Sequence, residues 1–182
     1  WQEEDRKYIW HPAQQMKDGE VFPPVVADHA SGSYIYDEHG KEYIDIISSW
    51  WCNLLGHANR EINEAVKKQL DTMEHVIFSN FTHRPAIVLP RGLCRFNYCD
   101  NGSSAVECAL KMAFQYQHQI GQTRRTRFMC LDSSYHGETI GALSVGSMDL
   151  YARIYKPMMM NNIHLNGLDC FRCPYGKTRE SC

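Results

Sequence analysis

The sequence predicts an α/β domain built on a parallel sheet, and two stretches carry that prediction. In the first, a short strand-like run Phe96-Asn97-Tyr98 leads into Asp100-Asn101-Gly102, and a helix starts at once. Apolar residues then fall at Ala105, Ala109, Met112, Ala113, Tyr116 and Ile120, the i, i+4, i+7 spacing of one helix face. In the second, Arg127-Phe128-Met129-Cys130-Leu131 reads as a buried strand running into Asp132-Ser133-Ser134-Tyr135-His136-Gly137-Glu138-Thr139. Apolar strand, loop, helix and strand again is the grammar of a parallel sheet, whose ligands sit beyond the carboxyl ends of the strands. Both Asn101-Gly102-Ser103 and Tyr135-His136-Gly137 lie at such ends, so one ligand could touch both.

Taken in order, the chain opens with an aromatic arm, Tyr8-Ile9-Trp10-His11-Pro12, and Pro23-Pro24 marks an extended segment. Two alternating runs, Ser33–Asp37 and Lys41–Ile46, flank Glu38-His39-Gly40, which predicts a β-hairpin with Gly40 supplying the turn. The second run continues into Ile47-Ser48-Ser49-Trp50-Trp51-Cys52-Asn53-Leu54-Leu55-Gly56-His57. Adjacent tryptophans point apart in any regular structure, so both cannot sit on one core face. They suit a substrate pocket or an interface; the alternative is one ring in the core and one covering a surface. Asn59 caps an amphipathic helix with Ile62, Ala65, Val66, Leu70 and Met73 as its buried stripe and Glu61, Asn63, Glu64, Lys67 and Lys68 outside. The run His75–Pro85 is irregular and stops at proline. Gly121 ends the helix that follows Gly102, and Thr123-Arg124-Arg125-Thr126-Arg127 reads as a solvated basic turn rather than a phosphate or nucleic-acid contact.

Composition limits the function classes. At 182 residues, 43% hydrophobic and 22% charged, the chain can bury a core, and a net charge of −2 offers no basic surface for nucleic acid or membrane. No apolar run approaches the ~18 residues of a membrane span, and the start lacks a signal-peptide layout. The eight cysteines are scattered, with five in apolar or helical runs, which fits reduced thiols in a cytoplasmic protein.

The chemistry concentrates at Gly102-Ser103-Ser104. These residues would open a helix with unpaired backbone N–H groups at the positive pole of its dipole, and Gly102 lets an anion approach closely. That is how a fold holds a phosphate, although an ordinary serine N-cap without a ligand has the same sequence pattern.

With these motifs the sequence resembles the class III pyridoxal-phosphate aminotransferases, and within them the branch that serves biotin biosynthesis. The segments that match are Ile9-Trp10-His11-Pro12 with Gln15-Met16-Lys17-Asp18, Gly32-Ser33-Tyr34 with Ile44-Asp45, and Ile47–His57. Glu74–Phe78, Phe81-Thr82-His83, Asp100–Glu107 and Tyr135–Thr139 complete the set. The Gly-Ser and Tyr-His-Gly motifs are class-wide, whereas Trp10-His11-Pro12 and Ser48-Ser49-Trp50-Trp51 are specific to the biotin branch. The resemblance implies a fold-type-I transferase: arm and hairpin in a small domain over residues 1–53, and the start of a large, mostly parallel-sheet cofactor domain over 54–182. It implies that Gly102 and Ser103 hold the phosphate of pyridoxal 5′-phosphate, that Tyr135 lies against its ring, and that His136 and Glu138 brace the Tyr135 loop. Trp50 and Trp51 would wall in a long aliphatic keto acid, with a small-molecule amine as the other substrate and a homodimer as the complete assembly.

The sequence also departs from the family. The class needs a Schiff-base lysine and an acid at the pyridinium nitrogen. None of Lys7, Lys17, Lys41, Lys67, Lys68, Lys111, Lys156 and Lys177 follows the lysine pattern, so the chain is expected to be the N-terminal part of such an enzyme, with no catalytic residue of its own. Between Pro85 and Leu93 it is about ten residues shorter than family members, about three helical turns. Ala13 follows Trp10-His11-Pro12 where the biotin branch carries an aromatic residue. Cys170, Cys173 and Cys182, with His164, could be metal ligands, but a single C-x-x-C is weak evidence and no metal is expected. The rivals are another class III ω-amino-acid transaminase and a non-catalytic remnant.

Overall fold

The computed structural model describes residues 1–88, 95–167 and 169–182. The chain divides into two compact units, Trp1–Ile87 and Val88–Cys182. The sequence places a boundary after residue 53. In the structure, residues 54–57 stay with the hairpin, because Gly32 and His57 exchange backbone hydrogen bonds of 3.0 and 2.8 Å.

The first unit begins with α1 (Gln2–Tyr8), whose acidic first turn and basic last turn complement the helix dipole. His11 Nε2 lies 2.8 Å from Asp5 Oδ2 and folds the arm back on α1. After the short α2 (Asp18–Val21) come β1 (Ala27–Ser31), β2 (Tyr34–Asp37) and β3 (Glu42–Ile44), an antiparallel sheet in that order. The predicted hairpin is β2–β3, in register Tyr34↔Ile44 and Tyr36↔Glu42. Its turn is set by Asp37, whose Oδ1 accepts from His39 N and Lys41 N at 2.9 Å each, and by Gly40 at φ +80°. The third strand, β1, has no alternating pattern and is held by backbone pairing to β2. A single turn, α3 (Ser48–Trp51), precedes α4 (Arg60–Leu70). Asn59 caps α4, its Oδ1 accepting from Ile62 N at 3.1 Å. The stripe expected to be buried is not: Ile62, Val66 and Leu70 are all about half exposed, since no element among the described residues covers that face. The short α5 (Arg84–Val88) lies where the chain passes between units, and Pro85 stands in its first turn, where a missing N–H costs nothing. The shortening expected between Pro85 and Leu93 falls largely on residues 89–94, outside the described residues.

The second unit holds the core. Its long helix α6 (Gly102–Gln119) matches the predicted bounds, but a different face turns inward. Ser103, Val106, Glu107 and Leu110 are half-buried, while Ala105, Ala109, Met112, Ala113, Tyr116 and Ile120 are exposed. Strand β4 (Met129–Leu131) pairs in parallel with β5 (Ile163–Leu165), which realises the predicted parallel sheet as two strands. Only Cys130 of β4 is buried, so the expected fully buried strand is half correct. The predicted strand Phe96–Tyr98 is not formed, because no partner ladder lies beside it among the described residues. Between β4 and β5 run α7 (Ile140–Val145), α8 (Asp149–Ala152) and a 3-10 turn over Lys156–Met158. Gly141 to Val145 are buried throughout, and Ala142, Leu143, Val145, Ala152 and Cys130 make the hydrophobic core. Its polar members are satisfied: Ser144 Oγ donates to Ile140 O at 2.6 Å and accepts from Met160 N, and Asn162 Nδ2 donates to Ser144 O at 2.9 Å.

Candidate functional site

In the second unit, two loops predicted from sequence to share a ligand are in contact. Asn101, rather than a serine, caps α6: its backbone is extended and its Oδ1 accepts from Ser104 N at 2.9 Å. The N–H groups of Gly102 and Ser103 keep no partner among the described residues, and a Cβ on Gly102 would meet nothing within 4 Å. The helix thus opens with two donors that have no partner among the described residues, and with room for a Cβ at Gly102. Ser103 Oγ accepts from Glu138 N at 3.3 Å, which joins this turn to the Tyr135 loop. The approach is close enough to require glycine: Gly137 sits at φ +114°, and a Cβ there would lie 2.8 Å from Ser103 Cβ.

One helical turn further on, Glu107 makes a second tether. Its Oε1 accepts from Gly141 N at 2.7 Å, and a Cβ on Gly141 would come 2.6 Å from the carboxylate carbon. Neither Glu107 nor Gly141 stands out in the sequence as a site residue. The available signal was spacing, since Ser103 and Glu107 lie four apart on one helix face.

Tyr135 is 52% exposed, with its ring tilted against Tyr151 at 5.6 Å between centroids. Its hydroxyl donates to Glu138 Oε1 at 3.2 Å; local burial first, and then this bond, push its pKa above the ordinary tyrosine value. Glu138 therefore braces the loop as expected. His136 is exposed and makes no hydrogen bond or ion pair among the described residues, so the bracing expected of it is not formed.

In the first unit, Trp50 and Trp51 stand on a strained turn. Ser48, Ser49, Trp50 and Trp51 all have left-handed φ, from 47° to 65°, with no glycine among them. Both rings face outward, 58% and 82% exposed, so neither is a core residue of this chain. The turn is held by Asp45, whose Oδ1 accepts from Ser49 N at 2.9 Å and whose Oδ2 accepts from Ser49 Oγ at 2.8 Å. His57 Nε2 also donates to Asp45 Oδ2 at 2.8 Å, while Asn53 Nδ2 donates to Nδ1 of the same ring. The backbone N–H of Ser49, then its hydroxyl, then His57, hold the Asp45 carboxyl down at about 2. The base of this knot is tight: Gly56 at φ +81° would place a Cβ 3.0 Å from Gly32 O. Asp45 and His57 hold this turn in place, and neither stands out in the sequence as a site residue. Ala13, in the arm, also has left-handed φ, at 57°.

The sequence profile described as "Aminotransferase class-III" matches residues 15–180. The chain belongs to the class III aminotransferases. Among curated relatives, the adenosylmethionine-8-amino-7-oxononanoate aminotransferase of Geobacter sulfurreducens is 44% identical over 98% of this chain and 41% of its own length. The enzyme of the same name from Helicobacter pylori is 45% identical over 87% of this chain and 38% of its own. The crystal structure of the Methanocaldococcus jannaschii enzyme of that name superposes with a TM-score of 0.86 at 35% identity, covering 95% of this chain and 41% of the other. This class III aminotransferase chain therefore has the fold-type-I α/β architecture and spans about two fifths of the length of the relatives it matches. Among its described residues no His, Cys, Asp and Glu side chains gather as a metal-ligand cluster, and no helix is long and apolar enough to cross a membrane.

Proposed function

We propose that this chain supplies the phosphate grip and the acceptor-binding tryptophans of an adenosylmethionine–8-amino-7-oxononanoate aminotransferase. The complete protein would transfer an amino group to 8-amino-7-oxononanoate in biotin biosynthesis, with S-adenosylmethionine as donor, as a cytoplasmic homodimer dependent on pyridoxal 5′-phosphate. The single observation that carries this reading is the Ser103–Gly137 contact. It sets two free N–H groups at the start of α6 beside the Tyr135 loop, with no side chain filling the gap.

The residues present suit that cofactor. Gly102 N–H and Ser103 N–H would hold the phosphate at the positive end of α6, where Gly102 carries no side chain to block its approach. Tyr135 offers a flat, partly exposed face held by Glu138, which limits the tilt of a ring packed against it. The bound cofactor supplies the electron sink that makes amine transfer possible. This chain's residues bind and orient; the Schiff-base lysine and the acid at the ring nitrogen belong to the remainder of the protein. Trp50 and Trp51, locked by Asp45 through Ser49, bind the aliphatic chain of the keto acid and restrict which chains fit.

The test is kinetic, on the complete protein. Trp50→Ala or Trp51→Ala removes aromatic contact worth ~2–4 kcal/mol, so kcat/KM with 8-amino-7-oxononanoate should fall roughly 30- to 1000-fold with cofactor retention unchanged. Ser103→Ala should show the reverse order, losing cofactor on dialysis first. If both tryptophan variants kept wild-type kinetics with that keto acid, the biotin-pathway reading would fail.

A further inference from the structure

We propose that Cys99 and Cys108 form a reversible dithiol–disulfide site that reacts with small disulfides of the glutathione type. Cys99 lies in the irregular segment just before Asn101, and Cys108 is on α6, two turns in. Their sulfur atoms are 3.7 Å apart, with the Cys99 thiol donating toward Cys108 Sγ. A disulfide needs about 2.05 Å, so the sulfurs must close by only about 1.6 Å, within reach of a side-chain rotation in the Cys99 segment. Both thiols are half-buried, which admits a small oxidant while keeping them together.

The arrangement assigns the order of events. Asn97 Nδ2 donates to Cys99 Sγ at 3.1 Å, while Cys99 hydrogen-bonds onward to Cys108. That second bond, local burial and the charges of Cys108 and Asp100 push the Cys99 thiol up. Because Cys99 is the donor of the pair and Cys108 Sγ the acceptor, Cys108 loses its proton to solvent and attacks first. It displaces one thiolate from the external disulfide and forms a mixed disulfide. Cys99, losing its proton to solvent, attacks the Cys108 sulfur and expels the second thiolate. The balance is one protein dithiol and one external disulfide giving one internal disulfide and two small thiols, with no further co-reactant. The ring so closed spans Asp100–Glu107 and therefore encloses the free N–H groups of Gly102 and Ser103.

The experiment uses the complete protein, fully reduced, exposed to oxidised glutathione, alkylated and then cleaved after Arg and Lys. Cleavage at Arg95 and Lys111 puts both cysteines in the single peptide 96–111. That peptide should lose the mass of two hydrogens, escape alkylation, and regain both thiols with a reductant. The Cys99→Ser variant should instead accumulate a glutathione adduct on Cys108. The inference is overturned if peptide 96–111 takes two alkyl groups while the exposed Cys52 or Cys182 is oxidised, or if Cys99→Ser accumulates no more adduct than the wild type. Neither readout depends on cofactor binding, so the thiol chemistry and the proposed function stand or fall separately.

Discussion

Replacing Gly137 with alanine probes the contact on which the proposed phosphate grip depends. At φ +114° an L-residue is strained, at a cost of about 1–2 kcal/mol by analogy with left-handed helix. The added methyl would also lie 2.8 Å from Ser103 Cβ and 3.0 Å from Ser103 Cα, and would meet its Oγ head-on. Overpacking of this kind typically costs about 1–3 kcal/mol, so the total should be about 2–5 kcal/mol, a large part of an ordinary stability of about 5–15 kcal/mol. The two contributions can be separated. Ser103→Gly removes the hydroxymethyl group that the new Cβ strikes, so the double variant should recover the overpacking part and keep the backbone strain. The assay is urea unfolding of the cofactor-free complete protein for wild type, both single variants and the double variant, read as a double-mutant cycle. A coupling of about 1–3 kcal/mol in favour of the double variant is expected. Additivity within about 0.5 kcal/mol would show that Ser103 and Gly137 do not press on each other, and would refute the reasoning.

Two other tethers give predictions of their own. Asp45 has its pKa depressed to about 2 in the folded chain, so its stabilising bonds are complete above the ordinary carboxylate value and are lost as pH falls through about 2. In a background with Trp1 and Trp10 replaced by Phe, tryptophan emission should therefore change between about pH 4 and about pH 2, and Asp45→Asn should lack that step; an identical step in both would refute the assignment. Glu107→Ala should strand the Gly141 N–H beside the buried α7 at about 1–3 kcal/mol, whereas Glu107→Gln keeps an acceptor and should lose less than half of that. Equal melting temperatures for the two variants would count against a hydrogen-bonding role.

The parts of this structure legible in the sequence are those fixed by local chemistry. Asn59 is readable as a cap and Gly40 as a hairpin turn, because each acts on backbone within four residues. The orientation of α6 was not readable from hydrophobic periodicity. The apolar count selects Ala105, Ala109, Met112 and Tyr116, but the packed face is chosen by Ser103 and Glu107, two polar side chains whose partners lie more than thirty residues away. Strand β1 was missed for the opposite reason: Ala27-Asp28-His29-Ala30-Ser31 has no pattern to read, and its geometry comes from pairing with β2. Phe96–Tyr98 shows that a strand-like sequence without a partner ladder forms no strand. The two loops meet, as their places after strand-like runs suggest, although only one of those runs forms a strand.

The Ser48–Trp51 turn extends the argument from legibility to purpose. Left-handed backbone at four successive non-glycine residues costs about 1–2 kcal/mol each, so the turn stores several kcal/mol of strain. Core packing does not offset that cost here, since both rings face outward at 58% and 82% exposure. What opposes it is polar and local: Asp45 binds both the N–H and the hydroxyl of Ser49, and His57 fixes the far side of the same carboxylate. A relaxed right-handed turn would still satisfy the backbone but would re-aim Trp50 and Trp51. The sequence therefore spends three polar side chains on the direction of two rings, which is the pattern expected of strain kept for ligand contact rather than for stability. On the role proposed for Trp50 and Trp51, Asp45 and His57 should affect substrate selection without touching substrate, by deciding where the tryptophans point.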